Sequence, residues 1–198
     1  MYQKFWKRAI DFTIALFGLI ILSPFFLILS IAVKLDSRGP ILFKQKRVGV
    51  HKKYFNILKF RTMRIDTPGE IPTHMLDNPE QYITKMGKFL RKTSLDELPQ
   101  LWNILIGQMS IIGPRPALWN QEDLITERDK YGANDFMPGL TGWAQVHGRD
   151  LLRIEDKAKL DGEYVQKMSL ILDLKCFILT IFSVLRQEGI KEGGHRGD

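Results

Sequence analysis

The chain has 198 residues, a length that suits one domain built around one core. Its 29 Lys and Arg outweigh 22 Asp and Glu, giving a net charge of +7. A basic balance points to anionic partners: phosphorylated small molecules, acidic lipid headgroups or nucleic acid. Cys176 is the only cysteine, which excludes an intrachain disulfide and a cysteine-rich metal centre.

Residues 9–33 are nearly all apolar, with Asp11, Thr13, Ser23 and Ser30 as the polar exceptions. Such a run reaches the roughly 20 residues needed to span a bilayer. A cleaved signal peptide would carry a shorter apolar stretch, of about 7–15 residues, and a small-residue cleavage site that is not apparent here. Two readings remain. The segment is a straight spanning helix, or it bends at Ser23-Pro24 and returns to the face it entered. Proline removes a backbone donor and clashes with the preceding turn, so it kinks helices. Lys4, Lys7 and Arg8 precede the run, Lys34 and Arg38 follow it, and basic flanks prefer the cytoplasmic side. Proline also occurs in ordinary spanning helices, so both readings stand at this level.

Further along, residues 40–63 predict a β-hairpin. Ile41-Leu42-Phe43 and Tyr54-Phe55-Asn56-Ile57-Leu58 read as its strands, joined by a basic turn around Gly49. Residues 64–79 hold Pro68, Pro72 and Pro79 and predict a surface loop. Helices are expected over 83–90, 95–105, 118–130, 154–168 and 170–185. Gly113-Pro114-Arg115-Pro116 and the turn-rich Pro138-Gly139-Leu140-Thr141-Gly142-Trp143 interrupt them. The last helix is strongly apolar yet carries Asp173 and Lys175, so it reads as interfacial or core-packed rather than spanning. Residues beyond 188 are expected to fray. The fold class is α+β, predominantly helical, with one β-hairpin and amphipathic helices. A membrane unit over 1–36 precedes a catalytic region over 37–198.

Four constellations could carry chemistry. In Thr93-Ser94-Leu95-Asp96-Glu97-Leu98-Pro99-Gln100, the spacing from Ser94 to Glu97 matches a capping box. A start at Asp96 instead places Pro99 in the tolerant first turn. Either way two carboxylates lie at the positive end of a helix dipole, which is expected to keep them ionised. An ionised aspartate can act as a nucleophile or hold a hard metal ion. Basic residues form a second group, including Lys44, Lys46, Arg47, Lys52, Lys53, Lys59, Arg61, Arg91 and Lys92. Arginine grips phosphate with a planar fork, and lysine acts as a point charge. A solvated face near anionic lipid is the plainer explanation for several of these; Lys59 and Arg61 stand out because they end a strand beside an apolar run. Third, Arg115 lies between two prolines that restrict its backbone, as suits phosphate recognition. Fourth, Gly142-Trp143-Ala144-Gln145-Val146-His147-Gly148-Arg149 combines close-approach glycines with a tryptophan and a histidine. No P-loop, Rossmann fingerprint or zinc spacing is present.

In this order and spacing, the residues resemble the bacterial sugar transferases, the monotopic phosphoglycosyl transferases. The resemblance runs from about residue 7 to residue 192. It rests on Ser23-Pro24, Lys59-Phe60-Arg61-Thr62-Met63, Ser94-Leu95-Asp96-Glu97-Leu98-Pro99-Gln100, Gly113-Pro114-Arg115-Pro116, Pro138 to Gln145, Gly148-Arg149, and Leu160-Asp161 with Tyr164-Val165. It implies an enzyme that moves a phospho-sugar from a UDP-sugar to polyprenyl (undecaprenyl) phosphate and releases UMP. Asp96 would be the nucleophile, forming a covalent aspartyl phospho-sugar. Glu97 would be its catalytic partner, and the two would place Mg2+. Arg115 and Arg149 would bind phosphate and nucleotide, with Lys59, Arg61 and Arg91 as further substrate-binding residues. Ser23 and Pro24 would break a re-entrant membrane helix on the cytoplasmic face of the bacterial inner membrane. Membrane lipid would be a partner, and a homodimer is one form the resemblance allows. His147 departs from the commoner asparagine of the family, as does the stretch Val50-His51-Lys52, which leaves the sugar open.

Two other functional classes were weighed. A non-catalytic anchor for a glycan-assembly complex would not need Asp96, Glu97, Arg115 and Arg149 together. A membrane-tethered nucleic-acid binder would need a recognisable binding fold, which is absent, so no nucleic-acid partner is expected.

Overall fold

The computed structural model describes residues 2–67, 78–148 and 151–186. After a π-helical turn over Tyr2–Trp6, helix α1 (Lys7–Ile21) runs into α2 (Ser23–Asp36), and the pair is bent by 64°. The bend follows from Pro24, which has no N–H to offer the Ile20 carbonyl four residues back. The Ser23 hydroxyl donates to that carbonyl instead, at 2.7 Å. No single helix among the described residues is long and apolar enough to cross a membrane; the bent pair qualifies on length and composition only when taken together.

Both helices expose apolar side chains, and α1 also turns polar ones inward. Lys7, Asp11 and Ala15, spaced one turn apart, are buried, whereas Phe17, Ile21 and Leu35 are 56%, 71% and 81% exposed. The buried polar groups are all paired with the rest of the chain. Lys7 Nζ lies 2.6 Å from Asp173 Oδ2, an oxygen that also accepts from the Tyr2 hydroxyl. Asp11 accepts from Ser110 Oγ at 2.7 Å and from the Ile111 N–H at 3.0 Å. Arg8 donates to the carbonyls of Ile104 and Leu105. Burying a charge is costly unless it is paired, so these contacts fix how α1 lies on the domain.

The expected hairpin forms. Strands β1 (Leu42–Val48) and β2 (Tyr54–Phe60) pair antiparallel, with Phe43 opposite Lys59 and Lys46 opposite Asn56. The chain reverses through His51 and Lys52, both at positive φ. Residues 68–77 of the expected loop lie outside the described residues. Helix α3 (Lys85–Thr93) follows and is capped by Thr84, whose side chain accepts from the Gly87 N–H. The helix expected over 95–105 is two pieces: a 3-10 turn at Leu95–Glu97, then α4 (Gln100–Leu105). Pro99 supplies the break, since it cannot donate to the carbonyl of Leu95.

Beyond α4 the chain contains a second sheet that periodicity did not reveal. Strand β3 (Ser110–Ile112) pairs in parallel with β4 (Gly139–Thr141). Three-residue strands are too short to show an alternating pattern. Helix α5 (Glu122–Asp129) starts later than the expected 118–130, because Leu118 pairs with Arg47 of the hairpin. Then come α6 (Trp143–Val146), α7 (Ile154–Lys167) and α8 (Leu170–Arg186). Buried Arg128 and Asp161 join α5 to α7 at 2.5 Å. On α8, Asp173 and Cys176 face inward while Ile171, Leu174, Phe177, Ile178 and Leu185 are exposed. The architecture is α+β with helices predominating.

The packing places the turn over Leu95–Glu97. Leu29 and Val33 of α2, Phe60 of β2 and Leu90 of α3 form one apolar cluster, and Leu95 and Leu98 pack against it. A second cluster joins Ala15 of α1, Ile57 of β2 and Leu101 and Ile104 of α4. Helices α1 and α2 are thus part of the apolar bed on which that turn rests.

Candidate active site

Helix α3 ends at Ser94, which takes the left-handed conformation at φ 56° and ψ 16°. Ser94 makes no side-chain cap bond, so the capping-box reading does not hold. Ser94 closes the helix before it instead of opening the one after. The reversal presents two consecutive carboxylates on a single short turn. Asp96 is 8% exposed and Glu97 little more, with its side chain at 12%.

Glu97 is the better paired of the two. Lys59 Nζ donates to its Oε1 at 2.8 Å, and Arg115 Nη2 donates to the same oxygen at 2.5 Å. Arg115 Nη1 reaches Oε2 at 3.3 Å. Asp96 stands beside this cluster, its Oδ2 3.9 Å from Lys59 Nζ. The strand end of β2 therefore delivers Lys59, and the 113–116 loop delivers Arg115, to the same carboxylate. Arg47 holds that loop by donating to the Pro116 carbonyl, and the Val48 N–H donates to the Ala117 carbonyl.

Burial pushes the Asp96 carboxyl above its usual range, and the Glu97 charge adds to the effect. Lys59, Arg91 and Arg115 pull the other way without cancelling it. At Asp96 burial thus outweighs the helix end, which alone would favour the ionised form. The turn is too short and too buried for the dipole to dominate. Burial likewise lowers Lys59 against the pull of Glu97 and Asp96.

The remaining basic candidates divide. Arg91 acts electrostatically on Asp96 and donates from Nε to Thr62 Oγ1 at 2.9 Å. Arg61 is placed elsewhere: its guanidinium donates to the carbonyls of Val33, Ser37 and Arg38 at the end of α2. Its positive charge there complements the helix terminus. Arg149 lies outside the described residues. The glycines of the third and fourth constellations serve backbone-to-backbone closure. A Cβ on Gly142 would come within 2.0 Å of the Gly113 carbonyl oxygen, and one on Gly139 within 2.2 Å of the Gly113 nitrogen. Trp143 packs in the cluster of Ile112, Tyr164, Val165 and Cys176, with the His147 ring tilted against it at 55°, centroids 4.0 Å apart.

The hydrophobic bed, the carboxylate turn and the converging cations run through nearly the whole chain, and the family model for bacterial sugar transferases matches residues 2–187. The chain belongs to the bacterial sugar transferase family. Similar family members include the sugar transferase EpsL of Bacillus subtilis (strain 168), 42% identical over 96% of this chain and 92% of that protein. The undecaprenyl-phosphate glucose phosphotransferase of Komagataeibacter xylinus is 40% identical over 88% of this chain and 35% of its own length. The UDP-glucose:undecaprenyl-phosphate glucose-1-phosphate transferase of Escherichia coli (strain K12) is 39% identical over 91% and 40%. The chain thus spans most of the first of these transferases and well under half of the other two.

The family assignment leaves other residues of the site to be read from geometry. Asn103 is 1% exposed and ties α4 to β2. It accepts from the Leu58 N–H and donates to the Asn56 carbonyl, at 3.0 and 2.9 Å. The one signal in the sequence was an amide in the middle of a leucine-rich helix. Gln100 is a second buried amide in the same helix.

Proposed function

We propose that this sugar transferase moves a phospho-sugar from a UDP-sugar to polyprenyl phosphate and releases UMP, with Asp96 as nucleophile. The observation that carries the reading is the turn at Leu95–Glu97, where two buried adjacent carboxylates meet cations from two other elements. The printed activities of the Komagataeibacter and Escherichia relatives supply the substrate class, and UDP-glucose is the first donor to test.

In the first half-reaction an Asp96 carboxyl oxygen bonds to the β-phosphorus. The bond from that phosphorus to the bridging oxygen breaks, and UMP leaves with the electron pair. In the second, an oxygen of polyprenyl phosphate attacks the same phosphorus and returns Asp96 to a carboxylate. Lys59 and Arg115 are the cations that a diphosphate would draw from Glu97. Splitting the transfer lets one basic site serve two anionic substrates in turn.

Two carboxylates and a diphosphate repel one another, so a divalent cation belongs in the reading. Among the described residues no group of three or more His, Cys, Asp or Glu could hold a metal alone. Mg2+ needs no such group, since it binds through one or two carboxylates and takes its other ligands from substrate phosphate and water. Asp96 and Glu97, hard oxygen donors, would hold it, and it would neutralise the diphosphate. The inverted exterior of α1, α2 and α8 supports a membrane location. In that setting the bent pair enters one leaflet and returns, leaving the domain at the cytoplasmic face.

The test is a burst of UMP from UDP-glucose alone, without lipid acceptor. Intact-protein mass spectrometry should show one added phospho-hexose, mapped to Asp96. Asp96→Asn should abolish both adduct and turnover. UMP that appears only after polyprenyl phosphate is added would mean direct transfer, with no aspartyl intermediate.

A further inference from the structure

From Leu95 to Leu105 the chain follows one right-handed path: the 3-10 turn, then Leu98 and Pro99 in helical geometry, then α4. Backbone bonds from the Leu98 N–H to Leu95 and from the Leu101 N–H to Leu98 keep three-residue spacing through the junction. In such winding, residues three apart stack above one another. Glu97, Gln100 and Asn103 therefore form one row. Both ends of the row meet β2, Glu97 at Lys59 and Asn103 at the backbone of Asn56 and Leu58. Gln100 lies between them, 2% exposed, and its Nε2 is buried with no hydrogen-bond partner.

A buried amide donor left unmatched is destabilising, and a leucine or methionine of similar size would avoid that cost. Such a group in a folded protein calls for an acceptor that arrives later. The matching deficit lies at Asp96, which adjoins the Glu97 end of that row. Among the described residues no donor lies within hydrogen-bond distance of the Asp96 carboxylate, and Lys59 Nζ stands off at 3.9 Å. An aspartate carboxylate rotates easily about its last torsion, so one unheld beside a substrate has no fixed aim.

We propose that Gln100 is a positioning residue whose carboxamide N–H takes one oxygen of Asp96 as the UDP-sugar binds, leaving the other aimed at phosphorus. The idea rests on Asp96 being the nucleophile. The attacking oxygen forms the new bond to phosphorus, and UMP departs with the electrons of the broken bond. The oxygen held by Gln100 becomes the carbonyl oxygen of the acyl phosphate and remains an acceptor. The same hydrogen bond thus persists from the attacking carboxylate to the intermediate, and holding the geometry lowers the barrier by orientation.

The experiment uses the full chain in lipid nanodiscs, with Gln100→Met and Gln100→Leu. UMP release from UDP-glucose without acceptor is followed by rapid quench, and thermal midpoints are measured on the same samples. The burst rate constant should fall by about 10- to 100-fold, with the half-saturating donor concentration unchanged. The thermal midpoint should hold or rise, because an unmatched polar group has been removed. A wild-type burst rate in both variants overturns the proposal. So does a loss of rate that follows a loss of thermal midpoint. Asp96→Asn is run alongside. If it still gives a burst, the nucleophile reading fails and takes this inference with it. If it is silent while both Gln100 variants burst normally, only the role of Gln100 falls.

Discussion

Burial and charge oppose one another at Asp96, and burial prevails. Its carboxyl is raised above the ordinary range by desolvation, with Glu97 adding to the shift and Lys59 opposing it. A raised folded-state pKa means that folding favours the protonated form. The stability this contributes is present below the ordinary carboxylate pKa and is lost as the pH rises through the raised value. Asparagine does not titrate and carries no charge to desolvate. In chelated buffer Asp96→Asn should therefore melt higher than the wild type at neutral pH, while losing all transfer activity. The difference should shrink as the pH falls into the ordinary carboxylate range. Thermal unfolding of both proteins across pH checks this, and a pH-independent difference would refute the role of desolvation. The sequence showed the two carboxylates but not their burial. Leu95 and Leu98 flank them in the sequence as ordinary apolar neighbours, and only the fold packs both against the cluster of Leu29, Val33, Phe60 and Leu90.

The element that most depends on single residues is the bent pair α1–α2. Its 64° bend has a stated cause, the missing Pro24 N–H, and a stated repair, the Ser23 hydroxyl on the Ile20 carbonyl. In hydrocarbon an unmatched carbonyl costs several kcal/mol, so the repair matters more there than in water. Arg61 finishes the same unit by taking three carbonyls at the end of α2. A re-entrant pair should leave both ends on the cytoplasmic side. With single cysteines introduced by Gln3→Cys or Ser37→Cys, a membrane-impermeant thiol reagent added to intact cells should label neither. Labelling at position 3 from the periplasm would establish a true span. Pro24→Ala restores the donor and should straighten the helix, so that a fraction of molecules crosses the bilayer and position 3 becomes reactive. The proline and both basic flanks were legible in the sequence. The direction of the bend was not, because it depends on Lys7, Arg8 and Asp11 holding α1 to distant segments.

At the scale of the whole molecule the polarity is arranged inside out along α1 and α8, and α2 too turns large apolar side chains outward. Lys7, Asp11 and Asp173 lie inside, while Ile21, Ile171 and Leu185 lie outside at 71%, 80% and 73% exposure. Such a surface is stable against lipid rather than water. On the proposed function, a chain of net charge +7 would lie beside an anionic bilayer and receive polyanionic substrates at a site that contains two carboxylates. Cations from the protein alone are already engaged at that site, Lys59 and Arg115 with Glu97. Turnover should stop in EDTA and return with Mg2+ or Mn2+, since hard oxygen ligands and phosphate favour these ions over zinc. UMP release measured across a chelator titration decides it, and full activity in thoroughly chelated buffer would remove the metal from the mechanism.

The linear order of residues was enough for local matters. The hairpin followed from two short, mostly apolar runs on either side of a basic turn around Gly49, and the break at Ser23-Pro24 followed from the lost donor. The motif around Asp96 and Glu97 named the family because these residue types and spacings recur together. Tertiary structure decided what depends on distant neighbours. It turned Ser94 from an opening cap into a closing one, because α3 had to end there for Leu95 and Leu98 to reach α2. It gave Arg61 to the helix end and Arg115 to Glu97, a choice between two arginines that local sequence cannot make. It formed the parallel pair β3 and β4 from strands far apart in the chain, closed by Gly113, Gly139 and Gly142. And it buried Gln100 one turn from Glu97, because desolvation is a property of the surrounding fold and leaves no mark on the order of residues.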